Sequence, residues 1–252
     1  GARFESWGRW VPWAQDSVKS GLGDMRFWLA LNQGAVLGLT GDVRLDRVAV
    51  NIEKALPDLK FDSLTGHAGW ARKQDAHTFF VERLRFKTPG EALSEPANIR
   101  VNLTPDQHGG FKRFGVNARN LRLEALTALT GALPIPKRGH DLIQALNPRG
   151  LVNEADGHWT GAKDYALKLD IRSAGVNAYA EFPGINGLDA RIEADPHGGR
   201  AAFDGAGMKL DLPLILRHEL NFSQLAATAD WKFDAAGMSL SFDARKMFNS
   251  DL

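Results

Sequence analysis

The sequence FDSLTGHAGW at residues 61–70 has a counterpart, FSQLAATADW, at residues 222–231. Each segment places one Phe, one Leu and one Trp at identical spacing: Phe61, Leu64 and Trp70, then Phe222, Leu225 and Trp231. An internal repeat of this kind indicates that one structural unit is used more than once. Because the copies lie about 160 residues apart within strand-like sequence, we predict a repeated β unit that builds an extended scaffold.

Apolar and polar residues alternate with a period of two on both sides of this repeat. The alternation is clear in residues 25–31, 43–52, 99–103, 165–171, 188–194 and 208–212. Such a period is typical of strands that bury one face. Turn sequences such as Asp195-Pro196-His197-Gly198 divide the runs into short strands. The pattern therefore predicts a mainly β fold, built as a meandering antiparallel sheet with a few short helices.

Two regions depart from the alternation and predict helices. Residues 1–24 carry three tryptophans at a spacing of three (Trp7, Trp10 and Trp13), which predicts an N-terminal helical segment. Residues 119–150 predict a helical insertion, with a first helix over Leu121–Leu129 capped by Asn120 and a second over His140–Leu146. This insertion would separate a first β unit, residues 25–118, from a second, residues 151–252.

The composition restricts the classes of function. Among 252 residues, 44% are hydrophobic and 24% are charged, and the net charge is +1. No long run of like charge is present, which argues against a nucleic-acid partner. The absence of cysteine removes disulfides and thiolate chemistry. No apolar stretch reaches the roughly 18 residues of a membrane span, and residues 1–5 do not resemble a signal peptide. We therefore expect a piece of a longer protein whose targeting lies elsewhere.

Motifs for catalysis, metals and cofactors are missing from the sequence. No two of the seven histidines have the i, i+4 spacing of a helical metal site. Neither a Gly-x-Ser-x-Gly elbow nor a phosphate-binding loop is present. We therefore predict a protein that is not an enzyme and has no cofactor. A carbohydrate-active β-sandwich with paired carboxylates stays open as an alternative, because the separation of two carboxylates is a three-dimensional property.

From residue 120 onwards the chain carries an ordered series of short motifs that resembles a known family. The motifs are NLRL (120–123), NPRG (147–150), GHWTG (157–161), FPGINGL (182–188), GGR (198–200) and LDLP (210–213). In this order they resemble the YhdP-type branch of the AsmA-like family, with a match over roughly residues 35–252. The C-terminal FNSDL at residues 248–252 departs from the family pattern in lacking a proline.

The resemblance implies a large Gram-negative envelope protein in the periplasm, anchored in the inner membrane by an N-terminal segment outside this chain. It implies a long, curved, taco-shaped sheet, the repeating β-groove, whose apolar lining carries phospholipid towards the outer membrane. Phospholipid acyl chains and the remaining segments of the same full-length protein would be its partners. The family offers no catalytic residues.

Fourteen apolar residues at alternating strand positions are expected to line that groove: Val43, Leu45, Val48, Val50, Ile99, Val101, Leu167, Leu169, Ile171, Ile192, Leu210, Ala229, Trp231 and Leu240. A one-sided apolar sheet must cover this face with a second sheet, helices or an acyl chain. In the alternative of a purely structural envelope module, the same residues would pack a closed core of protein.

Overall fold

A computed structural model describes most of the chain. The described residues are 2–3, 18–51, 56–90, 92–107, 111–127, 129–132, 137–161, 164–180, 182–213, 218–234 and 237–249. The three tryptophans of the predicted N-terminal helix, at positions 7, 10 and 13, lie outside these residues.

Thirteen strands and two α-helices make up the described part of the chain. The strands are β1 (Ala2–Arg3), β2 (Val18–Asn32), β3 (Ala35–Val50), β4 (Leu59–Lys73), β5 (Ala76–Lys87), β6 (Ala97–Pro105), β7 (Phe111–Arg122), β8 (Arg149–Gly161), β9 (Asp164–Val176), β10 (Gly184–Asp195), β11 (Gly198–Asp211), β12 (Leu220–Asp234) and β13 (Gly237–Asn249). The helices are α1 (Leu123–Thr127) and α2 (Lys137–Leu146), with a 3₁₀ turn at Thr130–Ala132 between them.

All thirteen strands form one open, curved antiparallel sheet, in which the order across the sheet equals the order along the chain. This confirms the predicted fold class. Tight turns join many of the strands, and residues with positive φ permit two of them, Gln33-Gly34 and Gln74. The Asp195 carboxylate accepts hydrogen bonds from the backbone N–H groups of His197 (2.7 Å) and Gly198 (3.1 Å), which fixes the turn into β11.

Two of the predicted helical regions differ from the structure. Residues 18–24, assigned to the N-terminal helix, open β2 instead, because they pair with β3 and contain two glycines that disfavour a helix. The helix predicted over Leu121–Leu129 begins only at Leu123, since Leu121 is still paired with Val152 in the sheet. Asn120 is a strand residue with φ 55° and not a helix cap. The second helix is confirmed, with an earlier start at Lys137.

The helical insertion does not interrupt the sheet. Strand β7 pairs directly with β8, from Phe114 opposite Trp159 to Arg122 opposite Leu151. The helices are thus a connection between neighbouring strands. The division into β units at residues 25–118 and 151–252 stays a prediction.

The two copies of the sequence repeat occupy equivalent places in two strands of equal length. β4 and β12 each contain 15 residues, with Phe third, Leu sixth and Trp twelfth. Phe61 and Phe222 are buried to similar degrees, with 9% and 8% of their surface exposed. The repeat therefore marks the same position in two similar parts of the sheet.

A line of left-handed residues crosses the sheet. One residue in each of β3, β5, β7, β9 and β11 has a positive φ between 49° and 70°: Arg47, Arg83, Asn120, Ser173 and Gly207. In each strand the next residue is apolar and packs in a core cluster: Val48, Leu84, Leu121, Ala174 and Met208. Register shifts lie beside several of these positions. Because bulges bend strands, their alignment folds the sheet along this line.

This line explains the spacing of three between Phe and Leu in the repeat. In a regular strand, residues i and i+3 point to opposite faces. Here Phe61 and Leu64 pack in one cluster, and Phe222 and Leu225 pack in another. Strands β3 and β11 beside them carry the left-handed residues Arg47 and Gly207. At the line of bulges, the alternation of side chains between the two faces is shifted by one residue. The Phe and Leu of each motif, three residues apart, therefore point to the same face.

Helix α1 covers part of this face. The first core cluster consists of Leu45, Val48, Phe61 and Phe86, and Ala125 and Leu129 from the helical connection pack against it. Leu123 packs against a second cluster, formed by Val152, Ile171 and Ala190. The connection therefore bridges two clusters that belong to different halves of the sheet.

Candidate functional site

The sheet presents one apolar face, and two complete rows of residues define it. The first row follows the cross-strand pairing from β2 to β13: Leu29, Leu39, Trp70, Phe79, Val101, Val116, Gly157, Leu167, Ala194, Gly199, Trp231 and Leu240. The second row lies two residues closer to the line of bulges: Phe27, Gly41, Ala68, Val81, Ile99, Ala118, Ala155, Leu169, Ile192, Ala201, Ala229 and Phe242.

No polar or charged side chain interrupts either row. Neighbouring strands lie about 4.8 Å apart. Twelve strands therefore give an apolar band roughly 50 Å long, running perpendicular to the strands. We call these two rows the apolar band.

All fourteen residues predicted to line a groove lie on this one face, but they lie at two depths. Leu45, Val48 and Ile171 are buried against protein, with 5%, 2% and 9% of their surface exposed. They pack in the clusters beside the line of bulges, where α1 contributes to the covering. Of the other predicted residues, Leu240 is 63% exposed, and the rest are half-buried. These three residues therefore belong to the packed core beside the line of bulges and are not part of the accessible apolar surface.

Eight of the twelve residues of the first row are not among the fourteen predicted residues: Leu29, Leu39, Trp70, Phe79, Val116, Gly157, Ala194 and Gly199. Phe79 and Val116 are the direct cross-strand neighbours of the predicted Val101 on this face. A tight turn fixes the register of a hairpin. The turn at Gln33-Gly34 alone would place Leu29 opposite Gly38, but a register shift between Ala30 and Leu31 places it opposite Leu39. The sequence does not reveal that shift.

Large aromatic side chains lie flat on the band over glycines. A Cβ atom at Gly199 would lie 2.3 Å from Cζ2 of Trp231, and one at Gly157 would lie 2.7 Å from Cη2 of Trp159. Trp70 donates its indole N–H to Nδ1 of His77 at 3.1 Å. The polar edge of that ring is therefore satisfied, and its apolar surface is available to the band.

We expect Gly199→Ala to destabilise the protein by about 1–3 kcal/mol, because the new methyl group overpacks against Trp231. The Glu193 carbonyl oxygen lies 2.5 Å from the same Cβ position. The new methyl group therefore cannot avoid Trp231 by shifting towards Glu193. Urea unfolding and the emission maximum of tryptophan fluorescence measure the effect. Gly115→Ala is the matched control, since its nearest atoms lie at 3.7 Å. Equal stability of the two variants would contradict this packing.

The opposite face is polar, and several of its charges are paired across strands. Ion pairs join Arg119 to Glu154 (2.7 Å), Arg191 to Asp170 (3.0 Å), Arg100 to Glu82 (3.2 Å), Lys168 to Glu193 (3.4 Å) and Arg200 to Asp230 (3.7 Å). Exposed pairs of this kind contribute little energy each. They do fix which face is solvated, because a shift of one residue in register would turn the charges onto the apolar side.

Asp170 gives this face a pH dependence. Hydrogen bonds from Arg191 and Asn153 hold the pKa of Asp170 below its ordinary value of 3.8. A lowered folded-state pKa stabilises the fold above the unfolded pKa, and this contribution is lost as pH falls through the folded pKa. We expect Asp170→Asn to cost about 0.5–1 kcal/mol near neutral pH and almost nothing in strong acid. Urea unfolding at both pH values tests this, and an equal cost at both would contradict it.

The described residues contain no group of three or more His, Asp or Glu side chains that could hold a metal ion. Carboxylates of β9 and β10 serve the structure: Asp170 binds Arg191 and Asn153, and Asp189 accepts the backbone N–H of Ser173. Neither α1 nor α2, the helices of the described part, is long and apolar enough to cross a bilayer.

An open antiparallel sheet with one long apolar band and one charged face defines a class of protein that presents a continuous apolar surface. Across residues 2–252 the chain matches the family model described as YhdP protein, and it belongs to this family, a branch of the AsmA-like proteins. The family is related to lipid transport, is associated with the Gram-negative envelope, and is not a family of enzymes. Comparison with curated proteins and with solved structures gave no match.

Proposed function

We propose that this chain is a segment of a lipid-conducting groove, in which the apolar band holds the acyl chains of phospholipids as they move between the inner and outer membranes. One observation supports this above all: twelve neighbouring strands contribute an unbroken apolar row on a face that α1 covers only near the line of bulges. The direction of movement follows the rows, perpendicular to the strands.

The energetics favour acyl chains as the occupant. Each buried CH₂ contributes about 0.8 kcal/mol, so a chain can be held along the band without a charged anchor. The hydrocarbon core of a bilayer is about 30 Å thick, so one acyl chain reaches about half that distance. A band of roughly 50 Å is longer than one chain. It therefore suits a lipid that changes position along the row rather than one fixed in a closed pocket.

Membership of this family supports a cellular location for this function. We propose that the chain works in the periplasm, continuous with other segments of a longer protein that is anchored in the inner membrane. The surrounding segments would continue the apolar band towards both membranes. No cofactor has a role in this function, because passive contact with an apolar surface requires none.

Lipid extraction from the protein purified without detergent tests the proposal. We expect phospholipid in the extract, lipid-bound species in native mass spectrometry, and uptake of a fluorescent phospholipid by the delipidated protein. A protein that contains no phospholipid and takes up none would contradict the proposal. That result would favour the purely structural module, in which the apolar face serves only to pack protein.

A further inference from the structure

The polar face carries an open cavity that the proposed lipid path does not use. The cavity has a volume of about 1030 Å³ and lies over β2–β5. Its charged lining consists of Arg26, Arg44, Arg83, Arg85, Asp24 and Asp42. Four arginines against two aspartates give this surface an excess of two positive charges.

The arginines of this cavity are unpaired, whereas Arg100, Arg119 and Arg191 on the same face each form an ion pair with a carboxylate. Within the described residues, none of the four guanidinium groups forms an ion pair. The Asp42 carboxylate is engaged instead by His67 at 2.9 Å. A second cavity on this face, over β9–β13, differs in that one of its arginines, Arg191, is paired with Asp170 at 3.0 Å.

The pairing of strands β3, β4 and β5 positions the arginine side chains around one point of the cavity. Arg44, Thr65 and Arg85 are direct cross-strand partners on β3, β4 and β5. The two arginines are therefore about 10 Å apart at their Cα atoms, and their long side chains can converge above Thr65. Arg83 is the left-handed residue of β5, with φ 52°, and its backbone N–H is held by Asn98 at 2.8 Å. This bulge directs a third arginine to the same cavity.

We infer that this cavity binds a phosphate group. A guanidinium group matches phosphate through two parallel N–H···O hydrogen bonds, and several of them around one point select a multiply charged anion. The volume is in the range of small-molecule sites, so the ligand is a phosphate-bearing molecule or lipid headgroup rather than a simple ion. Met25 and Val43 also line the cavity, but its charged side chains are on the opposite face from the apolar band. The inference stands independently of the proposed function.

Binding of inorganic pyrophosphate and of vesicles tests this inference. We expect the wild-type protein to bind pyrophosphate by calorimetry, and Arg44→Gln/Arg85→Gln to bind it about tenfold more weakly. Arg113→Gln/Lys232→Gln is the matched control, since it removes two exposed charges from the same face outside the cavity. Arg26→Gln/Arg83→Gln provides a second, independent loss of charge within the cavity.

The two arms of the experiment distinguish the sources of phosphate. Pyrophosphate binding that the cavity variants lose indicates a soluble phosphate-bearing ligand. Binding only to phosphatidylglycerol vesicles, and not to phosphatidylcholine vesicles, with the same loss in the variants, indicates a lipid headgroup. The inference is overturned if the wild type binds neither probe, or if the control pair weakens binding as much as the cavity pairs do. Lipid extraction from the apolar band is unaffected by either result.

Discussion

Leu167→Lys should reduce the phospholipid bound to the protein by at least tenfold while leaving the sheet folded. Leu167 lies near the middle of the apolar band, between Gly157 and Ala194, and it belongs to none of the three core clusters. A lysine facing the middle of a lipid layer costs about 2–4 kcal/mol. Because acyl chains would have to pass this position, one charge at the centre should block the whole band.

Ala166→Lys is the matched control for this substitution. Ala166 is the next residue of the same strand, opposite His158, and its side chain points to the polar face. Both variants add the same charge to β9, so only the face differs. Quantified lipid extraction and transfer of a fluorescent phospholipid between vesicles provide the measurements. If the two variants retained equal amounts of lipid, the acyl chains would not lie on the apolar band.

Phe61→Ala and Phe222→Ala should each destabilise the protein by about 3–5 kcal/mol, as expected for truncation of a buried aromatic side chain. The two phenylalanines are the first members of the repeated motif and are 9% and 8% exposed. They belong to clusters that share no residue, so the two losses should be additive within about 0.5 kcal/mol. Guanidinium unfolding of both single variants and of the double variant measures these values.

Phe242→Ala is the control, because Phe242 lies on the same face but is 59% exposed. Its truncation should change the free energy of unfolding by no more than about 0.5 kcal/mol. A similar cost at all three phenylalanines would mean that the apolar band is buried as deeply as the clusters beside it. It would then be an ordinary core rather than a surface available to lipid.

The sheet could be predicted from the sequence because its signals are local. The alternation of apolar and polar residues indicates which side chains of each strand lie on the apolar face, and turn sequences such as Asp195–Gly198 indicate where the strands end. All fourteen predicted residues share one face for this reason, although the alternation slips at the line of bulges. Val43 and Leu45, for example, precede Arg47, while Val48 and Val50 follow it.

The line of bulges could not be predicted in the same way. Its left-handed positions in β3, β5, β7 and β9 are Arg, Arg, Asn and Ser, which have no common chemical character, whereas β11 uses glycine. The conformation there is set by pairing with neighbouring strands. The burial of Leu45, Val48 and Ile171 depends on the same non-local geometry and on the side chains that α1 brings to it. The spacing of three between Phe and Leu in the repeat is a trace of this line in the sequence, but the spacing alone does not specify a bulge.

The identity between strand order and chain order has a consequence for how such a molecule forms and evolves. Apart from β7 and β8, which the helical connection joins, most strands meet their partners within a short length of polypeptide. Contact order therefore stays low, and assembly can proceed as the chain emerges during synthesis. Stability becomes a sum over adjacent strands, as in other linear repeat architectures. Inserting or deleting one hairpin in register would lengthen or shorten the molecule without rerouting any other segment, so its reach can be adjusted two strands at a time.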